Sequence, residues 1–533
     1  MKKSYALLIL ACIYMVISVV CKANTITANP GNYKTFLTQL VASDTLLLVA
    51  GTYTNNLTLK NINGTATQPI VITGSGNATV FQGQSCCNTI SITQCSYLVI
   101  RNLKLDGMHE FVDAVKAEGT TANWAHHITL EQLNIVNYDA DQQSVGISTK
   151  CSTWDWIIRK NIIIKAGTGM YLGNSDGTKP FVNGLIENNF IANTIGYNIE
   201  IKHQLDGVRN EFAGTAVNGK TIIRHNVFTK DTSSSTGGSA RPNLLVGGFP
   251  LKGWGAQDSY EICGNFFYNN PVEALFQGTG NIMLYQNIFV NHFNTSGFRA
   301  VYITPQNGVS PQNVQVFHNT VWTANSSGGI RLYNPNTSFK QYCYANVVCS
   351  ASPITNFTDT LNNITDSYSN AGNYFLSATA DINTLNLYPQ NGKLKGSVTQ
   401  STVFQNNSNW NKDFNGDVSD WTYRGAYSGC CVNNGWKLQL DTMPTHSTTT
   451  TMVEQPIHNY EYMISPNPAT EYVYISVPQN QTTNIKIMNT LGMLIREITV
   501  THPVQVNVSA FASGMYVVIL NNSLHQTQLF IKQ

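Results

Sequence analysis

The sequence predicts an all-β chain, a right-handed parallel β-helix of short stacked strands followed by a small C-terminal β-sandwich, and three observations predict it. First, one pattern recurs down the middle of the chain: an apolar residue, two variable residues, Asn, one variable residue, then a second apolar residue. It occurs at Ile158/Asn161/Ile163, Ile186/Asn189/Ile191, Ile223/Asn226/Phe228, Ile262/Asn265/Phe267, Leu284/Asn287/Phe289, Val316/Asn319/Val321 and Cys343/Asn346/Val348. Second, the alternation around each Asn has the two-residue period of strands, and no long stretch keeps a helical period. Third, only 11% of the 533 residues are charged, against about 25% in an average globular chain. That composition suits a β-rich extracellular protein.

The elements follow in order. Residues 1–23 read as a signal peptide, with Lys2 and Lys3 ahead of an apolar run from Tyr5 to Val20 and Ala23 at the cleavage position. Residues 24–436 carry the β-helix. Asn32–Leu40 has amphipathic helix character and would plug its first coil, because an open solenoid end exposes apolar interior and unpaired strand edges. The Asn repeats then stack, with Asn expected in the left-handed bend between two strands and its side chains laddered along the array. Asn411–Tyr427 would close the last coil. A Thr-rich linker occupies 437–460, and 461–533 returns to a compact β pattern. Without Cys12 and Cys21 the mature chain keeps nine cysteines, an odd number that leaves at least one unpaired, and no Cys/His spacing suits zinc. A net charge of +2 supplies no field for nucleic acid, and no transmembrane segment is expected once the signal is removed.

Two resemblances rest on particular residues. "LLLVAGTYTNNLTL", "TQPIVITGSG", "YLVIRNLKLDG" and the closing "DFNG…RGAY" resemble the secreted right-handed β-helix proteins of the pectate-lyase-like superfamily, a likeness of fold that spans lyases, hydrolases, epimerases and non-catalytic proteins. In the tail, Pro466-Asn467-Pro468, the turn at Asn489–Gly492 and the strand entry at Ser513–Val518 resemble the type A C-terminal sorting domain of the type IX secretion system. That resemblance implies a Bacteroidota origin, the type IX machinery as partner, and a secreted or cell-surface destination.

Chemistry is expected on one outward strand row. In "GYNIEIKHQ", Ile199 and Ile201 point inward, so Asn198, Glu200 and Lys202 are expected to point out together. Sister strands would add Lys150, Tyr171, Tyr302, Arg331 and Tyr333, cations and rings suited to an extended acidic sugar chain. Lys202 is the expected base of a β-elimination, with Arg224 and Arg241 as its cationic partners. The Lys202–Arg224 spacing resembles the Lys and Arg pair of chondroitinase B-like and alginate lyases, although Arg224 falls inside a copy of the Asn repeat. Glu200 and Asn198 are the expected oxygen ligands of a Ca²⁺ cofactor. The expectation is therefore an exported polysaccharide-binding protein, a lyase in its most specific form and less a glycoside hydrolase, since no group of outward Asp is present. The competing expectation is a non-catalytic surface or adhesion protein that uses the solenoid as a stalk.

Overall fold

The computed structural model describes residues 23–120, 122–211, 217–295, 297–398, 402–444, 464–477, 482–489, 493–520 and 523–533. The expected signal peptide, most of the expected linker and the tip of the Asn489–Gly492 turn lie outside the described residues. Chain contacts define two units, Met1–His446 and Ser447–Gln533.

The first unit is a right-handed parallel β-helix. A typical coil has three short strands: Leu185–Glu187, Phe190–Ala192 and Ile199–Ile201, followed one coil on by Lys220–Arg224, Val227–Thr229 and Leu244–Val246. Each strand pairs in parallel with its counterpart one coil away. In the early coils the first two faces are continuous, as in Ile70–Gln82 and Trp124–Tyr138, and the third face is a separate sheet of eleven strands. Among the described residues of the early region, α-helix is confined to Tyr33–Leu37, which buries Tyr33 and Leu37 over the first coil. The interior consists of aligned columns: Ile158, Ile186, Ile223, Ile262, Leu284, Val316 and Cys343 lie in register along one face. Phe228, Phe267 and Phe289 stack along the next, with ring centres 4.8 and 4.6 Å apart. Each such fully buried side chain contributes roughly 1.5–3 kcal/mol.

The Asn residues form one continuous ladder. From Asn161 through Asn189, Asn226, Asn265, Asn287, Asn319 and Asn346 to Asn363, the backbone N–H and Nδ2 of each donate to Oδ1 of the next, at 2.8–3.0 Å. The bend itself differs from expectation. The left-handed residue is the one before each ladder Asn: Lys160, Asn188, His225, Gly264, Gln286, His318, Ala345 and Asn362, with φ between 52° and 63°. The reason is geometric. The bend turns the following residue inward, so the ladder position needs a side chain that both donates and accepts to satisfy buried backbone groups in the corner.

The closing segment also lies elsewhere than expected. Rather than capping the last coil alone, residues 367–398 and 402–444 run along the flank of the helix. Phe414, Tyr427, Leu387 and Met443 pack on the outward column Phe190, Val227, Phe266, Ile288 and, beyond Thr320, Val347. Asn188 Nδ2 donates to the Met443 carbonyl and Arg424 Nε to the Asn362 carbonyl, both at 3.1 Å, so the cover reaches from the middle coils to the end. The described cysteines divide into two bonds between sequence neighbours, Cys86–Cys87 and Cys430–Cys431, and five buried free thiols at Cys95, Cys151, Cys263, Cys343 and Cys349.

The second unit consists of two antiparallel sheets, one of three strands and one of four, around Val473, Ile475, Ile485, Ile487, Val506, Tyr516, Val518 and Phe530. Gly514–Leu520 is its central strand, paired with Thr483–Asn489 and Ser523–Lys532. Among the described residues no helix is long and apolar enough to cross a membrane.

Candidate functional site

The third face carries one outward residue per coil in a single column: Ser91, Lys116, Ser148, Tyr171, Glu200, Leu245, Gln277, Tyr302, Arg331 and Thr355. Two positions further along the chain, Lys150 and Lys202 stand on alternate coils. Gly173 lies between them with φ 90°, and a β-carbon there would come within 3.2 Å of Lys202 Cβ, so the glycine leaves space between the two lysine stems.

Lys116, Tyr171 and Glu200 of this column, with Lys150 and Lys202, line a cleft of about 590 Å³, walled by the loops that carry Phe111, Asp113, Gln142 and Arg241. Gln142 Nε2 donates to the Ser239 carbonyl at 3.0 Å and so ties two of those loops together. Beneath the Arg241 loop, the buried Lys230 donates to the carbonyls of Gly196 and Arg241. Burial pushes its ammonium well below the ordinary lysine range.

Four cations (Lys116, Lys150, Lys202, Arg241) face two carboxylates (Asp113, Glu200) in the cleft. Lys202 Nζ donates to Glu200 Oε1 at 2.8 Å, and Lys116 Nζ lies 3.1 Å from Asp113 Oδ2. Asp113 Oδ1 also accepts the Val145 N–H at 3.0 Å, while burial, partly offset by Lys116, raises its carboxyl. Lys150 differs from the other lysines. Its Nζ sits 3.3 Å from the centre of the Tyr171 ring, and burial pushes its ammonium down to about 8, with attraction from Asp113 and Glu200 partly offset by repulsion from Lys116 and Lys202. Burial and the Glu200 charge push the Tyr171 hydroxyl up, and burial, then Glu200, does the same to Tyr197, with the Arg241 charge partly offsetting it.

Of the residues expected from sequence, Glu200, Lys202, Lys150, Tyr171 and Arg241 come together. Three sets do not join them. Asn198 turns inward, fully buried, with Nδ2 on Thr194 Oγ1 at 3.1 Å, because it precedes the strand at a bend where strict alternation does not yet apply. Arg224 belongs to the first face, where its Nη2 pairs with Glu187 Oε2 at 2.7 Å. Tyr302, Arg331 and Tyr333 share the cleft face but lie further along the helix. The cleft does not fit calcium. Ca²⁺ takes roughly six to eight oxygen ligands, whereas Glu200 and Asp113 each already hold a lysine and Asn198 is sequestered. Among the described residues no group of three or more His, Cys, Asp or Glu could hold a metal ion. Asp113, Tyr197 and Gln142 escaped the sequence reading because they stand on loops outside the repeat, and only the stacking of coils brings them to one place.

Residues 463–533 match the secretion system C-terminal sorting domain. This address sends the chain to the cell surface or out of the cell. No curated protein sequence matches the chain. Among solved structures, the chain is similar to a PL6 family alginate lyase, with 11% identity, a TM-score of 0.44, and coverage of 77% of this chain and 60% of that one. It is also similar to an alginate lyase from Paenibacillus sp. str. FPU-7, with 17% identity, a TM-score of 0.40, and coverage of 64% and 99%. A third is pectate lyase Pel9A, with 13% identity, a TM-score of 0.34, and coverage of 79% and 97%. The chain therefore spans less than two thirds of the PL6 enzyme's length. These likenesses concern the fold.

Proposed function

We propose that the cleft binds a segment of an acidic polysaccharide and, on a uronate-containing chain, cleaves it by β-elimination. The observation that carries this reading is Lys150, a lysine whose burial pushes it down to about 8, so that near neutral pH it has a usable basic fraction. In this reading Lys202 and Arg241 engage the substrate carboxylate, which makes the C5 proton removable. Lys150 Nζ takes that proton, the C–H electrons form the C4=C5 double bond, and the C4–O bond breaks. The departing oxygen takes a proton from the Tyr171 hydroxyl, which burial and Glu200 keep protonated. Lys202, the base expected from sequence, is assigned to the carboxylate instead, since it donates one N–H to Glu200 and keeps two further donors.

The test is incubation of the mature protein with alginate, pectate and chondroitin while following the ultraviolet absorbance of an unsaturated uronate. Product from one of them, lost in Lys150→Met, supports the reading. Binding without product favours the second reading, a non-catalytic surface protein, to which the Lys202–Glu200 and Lys116–Asp113 pairs lend weight because they already neutralise half of the cleft's cations.

A further inference from the structure

Four coils beyond Glu200 on the same outward column stands Arg331, reached through Leu245, Gln277 and Tyr302. Parallel strands lie about 4.8 Å apart, so the separation is roughly 19 Å. Arg331 Cζ lies 4.8 Å from the Tyr333 ring centre and 5.7 Å from that of Tyr302. A second guanidinium stands on the adjacent coil. Arg299 enters from the loop before Val301–Ile303 and lies over Gly328, where a β-carbon would come within 2.6 Å of its Nη1. Glycine at 328, with φ 110°, therefore leaves the space that the guanidinium occupies.

The pair lacks an anion. Arg299 Nη1 and Arg331 Nε are buried and have no hydrogen-bond partner among the described residues, and neither arginine forms an ion pair there. Burial, then repulsion from Arg331, lowers the Arg299 guanidinium below its ordinary range, and no carboxylate is among the causes acting on it. Two like charges held together with unpaired donors are costly unless a ligand supplies the missing acceptors. The flanking rings offer faces on which a sugar can stack.

We propose that Arg299 and Arg331, between Tyr302 and Tyr333, form a second anion subsite that takes the carboxylate of a sugar unit in the same chain that enters the cleft. This rests on the cleft reading above and adds to it a length requirement. A pyranose unit advances a chain by about one strand spacing, so both sites are spanned only by an oligosaccharide of about five units or more.

The test is calorimetric titration of the full mature protein at about pH 6, where Lys150 is protonated and cleavage is suppressed, with oligouronates of graded length, from about three to about eight units, which bracket the predicted span. Wild-type affinity should step up about tenfold where the chain first reaches the second site, the size of one charge-assisted contact. In Arg299→Gln, Arg331→Gln and the double variant that step should shrink to under about threefold, and Arg331→Lys, which keeps charge without the planar fork, should retain part of it. An unchanged melting midpoint checks that each variant folds. A step that survives in the folded double variant overturns the subsite alone, as does smooth binding with no step in the wild type. Failure of every oligouronate to bind the wild type overturns the cleft reading and the subsite with it. A step seen with sulfated neutral oligosaccharides and not with oligouronates rejects the carboxylate assignment.

Discussion

Lys150 is the residue at which local chemistry departs furthest from the ordinary surface lysine. Its neutral fraction grows as pH rises through about 8, so a reaction that uses it as base should accelerate up to that point and level off above it. A pH–rate profile of kcat/KM measures this, and a flat profile between neutrality and pH 9 would remove Lys150 from the role. His318 makes a second prediction, about stability. It is buried against Trp421, and burial pushes its imidazole down to about 4. An unfolded histidine titrates near 6.5, so between about 6.5 and 4 the unfolded chain binds the extra proton and stability must fall as pH falls. The loss from this one group is on the order of 3 kcal/mol. His318→Asn, which suits the left-handed φ of 52° at that position, should unfold less steeply than wild type on acidification in denaturant titrations across that window.

At the scale of the element, the ladder corner is the unit of stability. Asn226 Oδ1 accepts from the backbone N–H and Nδ2 of Asn189, while its own Nδ2 donates to the Ile186 carbonyl and Asn265 Oδ1. Asn226→Ala would strand two buried donors and one buried acceptor, each costing about 1–3 kcal/mol. Asn363→Ala, at the half-buried end of the ladder, should cost clearly less. Equal losses for the two in chemical denaturation would argue that the ladder contributes little beyond space filling. The neighbouring bend gives a change of opposite sign. Ala345 sits at φ 54°, where an L-residue carries about 1–2 kcal/mol of strain, so Ala345→Gly should stabilise by up to about 1 kcal/mol after glycine's own entropy cost.

At the scale of the whole molecule, the two units have separate cores. Removing residues 464–533 should leave the melting transition of the β-helix within about 2 °C, because its core is built from its own residues. It should also leave the truncated protein inside the outer membrane, measured by cell fractionation. The flank cover belongs to the helix unit itself. Phe414→Ala, which opens the apolar contact with the second face, should cost about 3–5 kcal/mol, in contrast to the near-neutral effect of deleting the tail.

The sequence by itself determined the periodic features: the coil repeat, the interior aliphatic columns, the Asn corner and the address at the C-terminus. Each is a local pattern repeated at a period, or a compact motif, that the backbone geometry of a strand translates directly into place. It also determined that Lys150, Tyr171, Glu200 and Lys202 face outward, since alternation fixes the side of a strand. Only the tertiary structure decided what those residues meet. Arg224 and Lys202 are 22 residues apart yet lie on different faces, whereas Arg241 returns to the cleft on a loop held by Lys230. The closing segment and Asp113 show the same limit. Their positions depend on loop paths and on which coil stacks above which, and those are set by summed packing over many distant residues rather than by any period in the chain.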